Sequence, residues 1–471
     1  MTPTPIISEA APAASLHPIR KFGIRDKLGY LFGDFGNDFF FILVSAFLMV
    51  YYTDIFHIHA ATVGVLFLVA RLWDAVADIT WGRFIDTRKP SKHGKFKPWI
   101  FRMSFPLVLS GILMFVKFPG MSDHFYLIYA FITYIVWGTF YSTVNIPYGS
   151  MASVITSDPV ERTALSTYRT MGAMLAGLII NVAGPLILFV GNKADAGRFT
   201  LGAVLFGILS ISCYMACCKL STERITQTEH TRIHLRQTLH ALVKNRPMLT
   251  ILAASLIFMV CFMMVGAVNV YLFKDVFGNA KALSTVGLLQ TAAAFVAIPA
   301  VKPLVSRFGK KTTITLGLLL SAVAYLALYL QPGLGIMPFI AILTIAMFGY
   351  AFFNLLIWAF VTDVIDFHEY ITGQREDGTV YSIYSFARKV GQAVAGGLGG
   401  FAIAEVGYNA GGKTQTADAL SGIHMLGTLV PAVLLLVVAL IIVFLYPLNK
   451  QRTEALAADL RKRRDADAAS D

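Results

Sequence analysis

Charge is scarce in this chain. Asp, Glu, Lys and Arg make up 14% of its 471 residues while 56% are hydrophobic, and a water-soluble domain lacks the polar surface to cover that much apolar mass. Cysteine is nearly absent too: Cys213, Cys217, Cys218 and Cys261 all fall in apolar runs and read as small hydrophobes. Cys213 and Cys217 share a helix face, yet without His or further Cys beside them they make no metal site, and His57, His59 and His368 offer no ligand spacing. The first 19 residues lack the basic start and apolar core of a cleaved signal and read as a disordered tail. No nucleophile with its base, metal-ligand set or lipid-phosphate motif is visible, so neither an enzyme nor a cofactor is expected. The glycine-rich GQAVAGGLGG of Gly391 to Gly400 follows no strand, which excludes a phosphate loop and leaves close helix packing.

What is abundant is long apolar runs. Twelve, each about 20 residues long, are centred near positions 40, 68, 108, 135, 175, 208, 260, 292, 321, 350, 393 and 434. In lipid the backbone must satisfy its own hydrogen bonds, so they read as helices. The expectation is an all-α membrane protein of twelve transmembrane helices in two six-helix halves. Residues 1–27 are a tail, 28–219 the first half, 220–247 a central loop, 248–448 the second half and 449–471 a second tail. The net charge of +12 falls in alternate loops rather than on one face. That pattern argues against nucleic acid and places both termini and the central loop in the cytoplasm. GRFIDTRKPSKHGKFKPW after the second span and KPLVSRFGKKTTITLG after the eighth occupy matching places. Either cytoplasmic turns are simply basic, or the halves arose by duplication, which in membranes goes with a transporter whose site lies between the repeats.

A charge at mid-bilayer costs about 2.5–3.5 kcal/mol even on a permissive scale, so ionisable groups inside the spans are candidates for function. They are Asp34 and Asp38 in the first span, Arg71, Asp74 and Asp78 in the second, Arg169 in the fifth, and Arg388 with Lys389 in the eleventh; Asn145 and Trp358 add uncharged polarity. Asp74 and Asp78 are four apart on one helix face, about 6 Å apart at the backbone. Two carboxylates so placed repel, and one holds a proton more tightly than in water, as a cation-coupling site requires. Arg71, one turn before Asp74, offers the alternative of a structural ion pair. Arg388 and Lys389 either bridge to the aspartates of the other half, or Lys389 does so while Arg388 presents its planar fork to an anionic substrate group. Trp358 supplies a face for a sugar ring or packs as an ordinary span aromatic. Asp363, Asp366 and Glu369, in TDVIDFHEY near Arg375, read as gating or structural ion pairs.

Three blocks carry a resemblance: RLWDAVADITWGRFIDTRKPSKHGKFKPW, YSTVNIPYGSMASVITSDPVERTAL and DVIDFHEYITGQREDGTVYSIYSFARKVGQA. From about Arg25 to Leu448 the chain resembles the glycoside-pentoside-hexuronide:cation symporters, a branch of the major facilitator superfamily that includes the bacterial melibiose and glucuronide carriers. The resemblance implies the twelve-helix major facilitator fold with cytoplasmic termini. It also implies that Asp74 and Asp78 form the coupling-cation site, that Asp38 and Arg169 contact sugar hydroxyls, and that Lys389 reaches toward the aspartates. Two positions depart from the melibiose carrier: Asn145 stands where that carrier has an acidic sugar-binding residue, and Ala77 where it has an asparagine. The first speaks against melibiose-like specificity. The second removes an oxygen ligand that sodium needs and a proton does not. His368 also departs from the usual pattern of its segment. VNIPYGS and SFARKVGQA resemble the glucuronide carrier branch, and Arg388 suits an acidic sugar. The expectation is proton-coupled symport of an acidic glycoside such as a glucuronide by alternating access, in a functional monomer. The alternative is sodium-coupled symport of neutral galactosides or pentosides; a sugar sensor and a passive facilitator are the more distant rivals.

Overall fold

Apolar runs that bond their own backbone become helices, and a chain of such runs separated by short polar turns has to cross back and forth. The computed structural model describes residues 20–86, 88, 90–91, 94–156, 158–224, 245–373, 377–412 and 414–470. The first half holds α1 (Ile24–Asp54), α2 (Ala60–Asp86), α3 (Lys97–Leu113), α4 (Asp123–Ile155), α5 (Pro159–Leu188) and α6 (Ala196–Leu220). A two-residue hairpin, β1 (Phe189–Val190) with β2 (Lys193–Ala194), joins α5 to α6. The second half holds α7 (Arg246–Tyr271) with a π-helical turn at Leu272–Val276, then α8 (Ala282–Phe308), α9 (Lys310–Leu330), α10 (Ile336–Thr372), α11 (Asp377–Glu405) and α12 (Ala417–Leu445). The second tail forms α13 (Lys450–Ser470), and its Leu456 and Leu460 are buried. Among the described residues ten helices are long and apolar enough to cross a membrane. The other two, α3 with its 17 residues and α11 with its basic pair, occupy the third and eleventh expected places.

Side chains end the helices where the sequence places them. Ser122, Asp195, Asn245 and Thr416 accept the N–H of Phe125, Arg198, Met248 and Ala419 and so cap α4, α6, α7 and α12. Gly373 closes α10 in the left-handed conformation, φ 71°, where a side chain would be strained. In the first half α1 packs on α5 and α6, and α4 on α2 and α3; in the second, α9 packs on α10 and α12, and α7 on α11 and α12. Successive helices alternate in direction, giving the bundle a terminal end, where the described chain starts and finishes, and a far end.

The terminal end of the first half is tied by two acids. The Glu223 carboxylate accepts the backbone N–H groups of Lys95 (2.6 Å), Phe96 (3.0 Å) and Lys97 (2.8 Å), which open α3 and lack helical partners. Gly94 (φ 107°) leaves it room, since a Cβ there would lie 2.6 Å from that carboxylate. Buried Asp26 binds Arg20 and Arg224, each at 2.8 Å, and Arg224 also reaches the Ile155 carbonyl. In the second half Lys310 pairs with Asp363 (2.5 Å) and Lys311 donates to the Tyr446 carbonyl (2.7 Å).

The halves meet through α2 on α11, α5 on α8 and α1 on α7. At the far end α2 and α11 touch backbone to backbone: a Cβ on Gly400 would sit 2.5 Å from the Gly64 Cα and 2.6 Å from its nitrogen. Gly287 of α8 lies as closely against Asn181 of α5. Small residues permit such approach and backbone atoms do not yield. Gly400→Ala is therefore expected to drive α2 from α11 and raise, several-fold, the rate at which an impermeant maleimide labels a cysteine placed at Phe67, which packs on Gly396. An unchanged rate would mean that the contact adjusts without separating the helices.

Candidate functional site

Three polar residues of α1 occupy adjoining positions on its inner side. The Asp34 carboxylate accepts Nε of Arg169 from α5 at 3.1 Å, and the Arg169 guanidinium lies over the Tyr148 ring at 5.4 Å. Asp34 is nearly enclosed while Arg169 keeps 39% of its side chain exposed, so the pair presents a cation to open space. Asp38 stands one turn from Asp34 on the same face. Between them Asn37 donates to the Tyr141 hydroxyl (3.1 Å) and to Asn145 Oδ1 (3.0 Å), and accepts the Tyr214 hydroxyl (3.0 Å), joining α1, α4 and α6. Asn145, expected at the sugar, thus turns its oxygen toward α1. The sequence reading passed over Asn37; its signal was an amide between two carboxylates inside a span.

On α2, Arg71 bonds Asp74 at 3.4 Å and lies over the Phe41 ring of α1 at 5.5 Å. Asp74 rests against α4 where Gly138 makes space, since a Cβ there would collide with its Oδ1. Neighbouring Trp73 donates to Thr139 at 2.9 Å. Asp78 follows one turn nearer the terminal end. Gly64, Arg71 and Asp78 are spaced by seven residues and share one stripe, with a drift of only about 20° per step.

In the second half the Arg388 guanidinium of α11 lies over the Trp358 ring of α10 at 5.7 Å. Trp358 meets Tyr384 edge-on at 5.1 Å, and the Tyr384 hydroxyl accepts from Ser255 of α7. The side chain of Lys389 is outside the described residues. Helix rise sets the depths: Asp74 and Asp78 lie about 15 and 21 Å below Gly64, and Arg388 about 18 Å below Gly400. Because α2 and α11 are antiparallel and touch at those glycines, the acids of one half and the base of the other sit level. Asp363, Asp366 and Glu369 lie in the last turns of α10, Asp363 on Lys310; Arg375 lies outside the described residues. No group of His, Cys, Asp and Glu suited to a metal occurs among the described residues.

One cluster escaped the sequence reading. Lys274, read there as one of the few charges of the far-side loops, is 5% exposed in the π-helical turn after α7. It binds Asp54 at the end of α1, Asp275 at 3.1 Å and the Tyr408 hydroxyl at 3.0 Å, while Tyr408 also donates to Asp54 at 2.7 Å. Thr53 meets Tyr271 at 3.0 Å, and Asn192 donates to the Lys274 carbonyl. The bonds that Asp54, Thr53 and Asn192 make cross between the halves at the far end.

A twelve-helix bundle with two touching halves and level, opposed charges is the architecture of a carrier, and residues 29–450 match the family described as "MFS/sugar transport protein". The chain belongs to this family. Like it, a "Glucuronide carrier protein homolog" of Escherichia coli (strain K12) is 30% identical over 442 residues, 93% of this chain and 96% of its own. A "Putative sulfoquinovose importer" of Salmonella typhimurium (strain LT2) is 31% identical over 451 residues, 94% of each chain. The crystal structure of a bacterial homolog of the human lysosomal transporter Spinster, inward-facing and unoccupied, matches with a TM-score of 0.64 at 13% identity, over 89% of this chain and 95% of that one. That likeness establishes the major facilitator fold. This MFS sugar transporter is therefore a multi-pass membrane protein whose cargo is a small sugar molecule, and the resemblance to the glycoside symporters holds over the whole bundle.

Proposed function

We propose that the protein couples entry of a proton to entry of an acidic glycoside, such as a glucuronide, across the bacterial inner membrane, with its terminal end in the cytoplasm. The observation that carries the acidic sugar is Arg388 held over Trp358. The ring orients the guanidinium without neutralising it, as a carboxylate would, so its planar fork is preserved for a substrate anion while the indole offers a face to the pyranose. Arg169, half-exposed beside Asp34, is a second cation toward the space between the halves.

Coupling follows from the charges on α2. Arg71 offsets Asp74, and Asp78, one turn away, is the carboxylate whose charge changes when a proton arrives. Protonation lowers the negative charge facing α11, and the sugar anion then engages Arg388 or Arg169. One proton moving with one singly charged sugar anion carries no net charge, so the pH difference rather than the membrane potential supplies the driving force. Sodium needs several oxygens, and Ala77 supplies none beside Asp78. The far-end contacts, in this orientation, close the outside, as one state of alternating access requires.

The test is uptake into proteoliposomes of a labelled glucuronide and a neutral galactoside, under an imposed pH gradient and then a sodium gradient. Proton-driven glucuronide accumulation is expected; sodium-driven galactoside uptake would replace this reading with the neutral-sugar one. In the Arg388→Ala protein the apparent KM for the glucuronide is expected to rise about tenfold or more, as for loss of a charged hydrogen bond, with little change for neutral sugars. Equal losses for both would remove Arg388 from substrate recognition.

A further inference from the structure

At the terminal end of the second half a cavity of about 300 Å³ opens between the start of α7, the last turns of α10, the end of α12 and α13. It is lined by Arg246, Pro247, Phe367, Pro447, Leu448 and Arg452. Its polar lining is two guanidinium groups, and no carboxylate borders it among the described residues. Arg452 donates to the Pro447 carbonyl at 3.1 Å, so its charge is uncompensated there, and Arg246 has no ion-pair partner among the described residues. Arg246 is the first residue of α7, where the helix dipole adds positive potential. The remaining walls are apolar, and the wall continues outward. Thr250 of α7 bonds the Leu445 carbonyl, so α7 and α12 adjoin here, and beside the cavity Phe444 and Leu445 are 77% and 61% exposed and Leu249 44%.

We infer that this cavity binds an anionic phospholipid of the leaflet on the terminal side. The phosphodiester would lie between Arg246 and Arg452, the glycerol region against Phe367 and Leu448, and the acyl chains along Leu249, Phe444 and Leu445. Two fixed cations without an acid select a negative headgroup over a zwitterionic one. The exposed apolar wall continuous with the cavity selects a lipid over a free anion, which has nothing to place there. This site lies apart from Asp78, Arg388 and the far-end cluster and stands whichever sugar is carried.

The experiment uses the full-length protein in neutral detergent, titrated with phosphatidylglycerol, with phosphatidylcholine and with inorganic phosphate, reading the thermal unfolding midpoint and the lipid retained in native mass spectrometry. Phosphatidylglycerol is expected to raise the midpoint saturably and remain bound as one copy per chain at this site. In the Arg246→Ala/Arg452→Ala protein its apparent affinity falls about thirtyfold, two surface cations' worth, while Arg102→Ala, which removes an exposed cation elsewhere, leaves it unchanged. Equal response to phosphatidylcholine, equal response to inorganic phosphate, or full retention in the double variant would each overturn the assignment. The lipid comparison on the unaltered protein decides the matter even where the double variant fails to fold.

Discussion

Proteoliposomes containing the Asp78→Asn protein are expected to equilibrate a glucuronide and never to concentrate it. With one proton per sugar, a pH difference of two units allows up to about a hundredfold accumulation, tenfold for each 1.36 kcal/mol. An amide cannot take up the proton, so the ratio of inside to outside sugar falls to about one whatever the gradient. Exchange of labelled for unlabelled sugar persists, because Arg388, Trp358 and Arg169 are untouched. The Asp74→Asn protein separates coupling from charge balance. There the loss leaves Arg71 without its 3.4 Å partner on α2, and breaking a buried pair costs about 3–5 kcal/mol, an upper bound for this part-exposed one. Lower thermal stability is thus expected of Asp74→Asn. Normal proton-driven accumulation by the Asp78 variant would reject its role as the coupling group.

The second large effect is expected at Lys274. Among the described residues it is the cation that Asp54, Asp275 and Tyr408 surround, and its bond to Asp54 links the two halves. Lys274→Met keeps the length of the side chain and takes from both carboxylates the cation that bonds them. Loss of one partner of a buried pair costs about 3–5 kcal/mol, two powers of ten or more in a two-state ratio. Spin labels at Ala61 and Ala404, on α2 and α11 near the far end, should change from a single short distance to a distribution dominated by a longer one. The Asp54→Asn/Lys274→Met double variant should fall short of the summed single effects, because the pair is removed together. An unchanged distance distribution in Lys274→Met would show that the glycine contacts alone hold the far end.

The helices were legible because apolarity is a local property. Each expected span has its helix, although α10, at 37 residues, runs well past its apolar centre and takes Asp363, Asp366 and Glu369 with it. Opposed charge on α2 and α11 was legible for the same reason, since an acid or base in an apolar run stands out by itself. Partners were not. The Asn37 bonds to Tyr141 and Tyr214 span 104 and 177 positions, and Tyr408 reaches Asp54 across 354. Lys274 had the added disguise of a turn, where a lysine ordinarily meets water; only the packing of four elements around the π-helical turn encloses it. Asn145 was read as a substrate ligand because its neighbours in VNIPYGS are distinctive, while its bond to Asn37 depends on the rotation of α4 against α1.

The Glu223 clasp on the start of α3 has a bearing on modularity. The described terminal-end bonds of the first half are made by residues up to Arg224, and those of the second begin with the Asn245 cap of α7. Each half therefore carries these closures within itself. Two separately translated chains, divided between Arg224 and Asn245, would each retain every one of those bonds and could reassemble through the glycine seams of α2 with α11 and α5 with α8. The polypeptide is, in that sense, a dimer written as a single sentence.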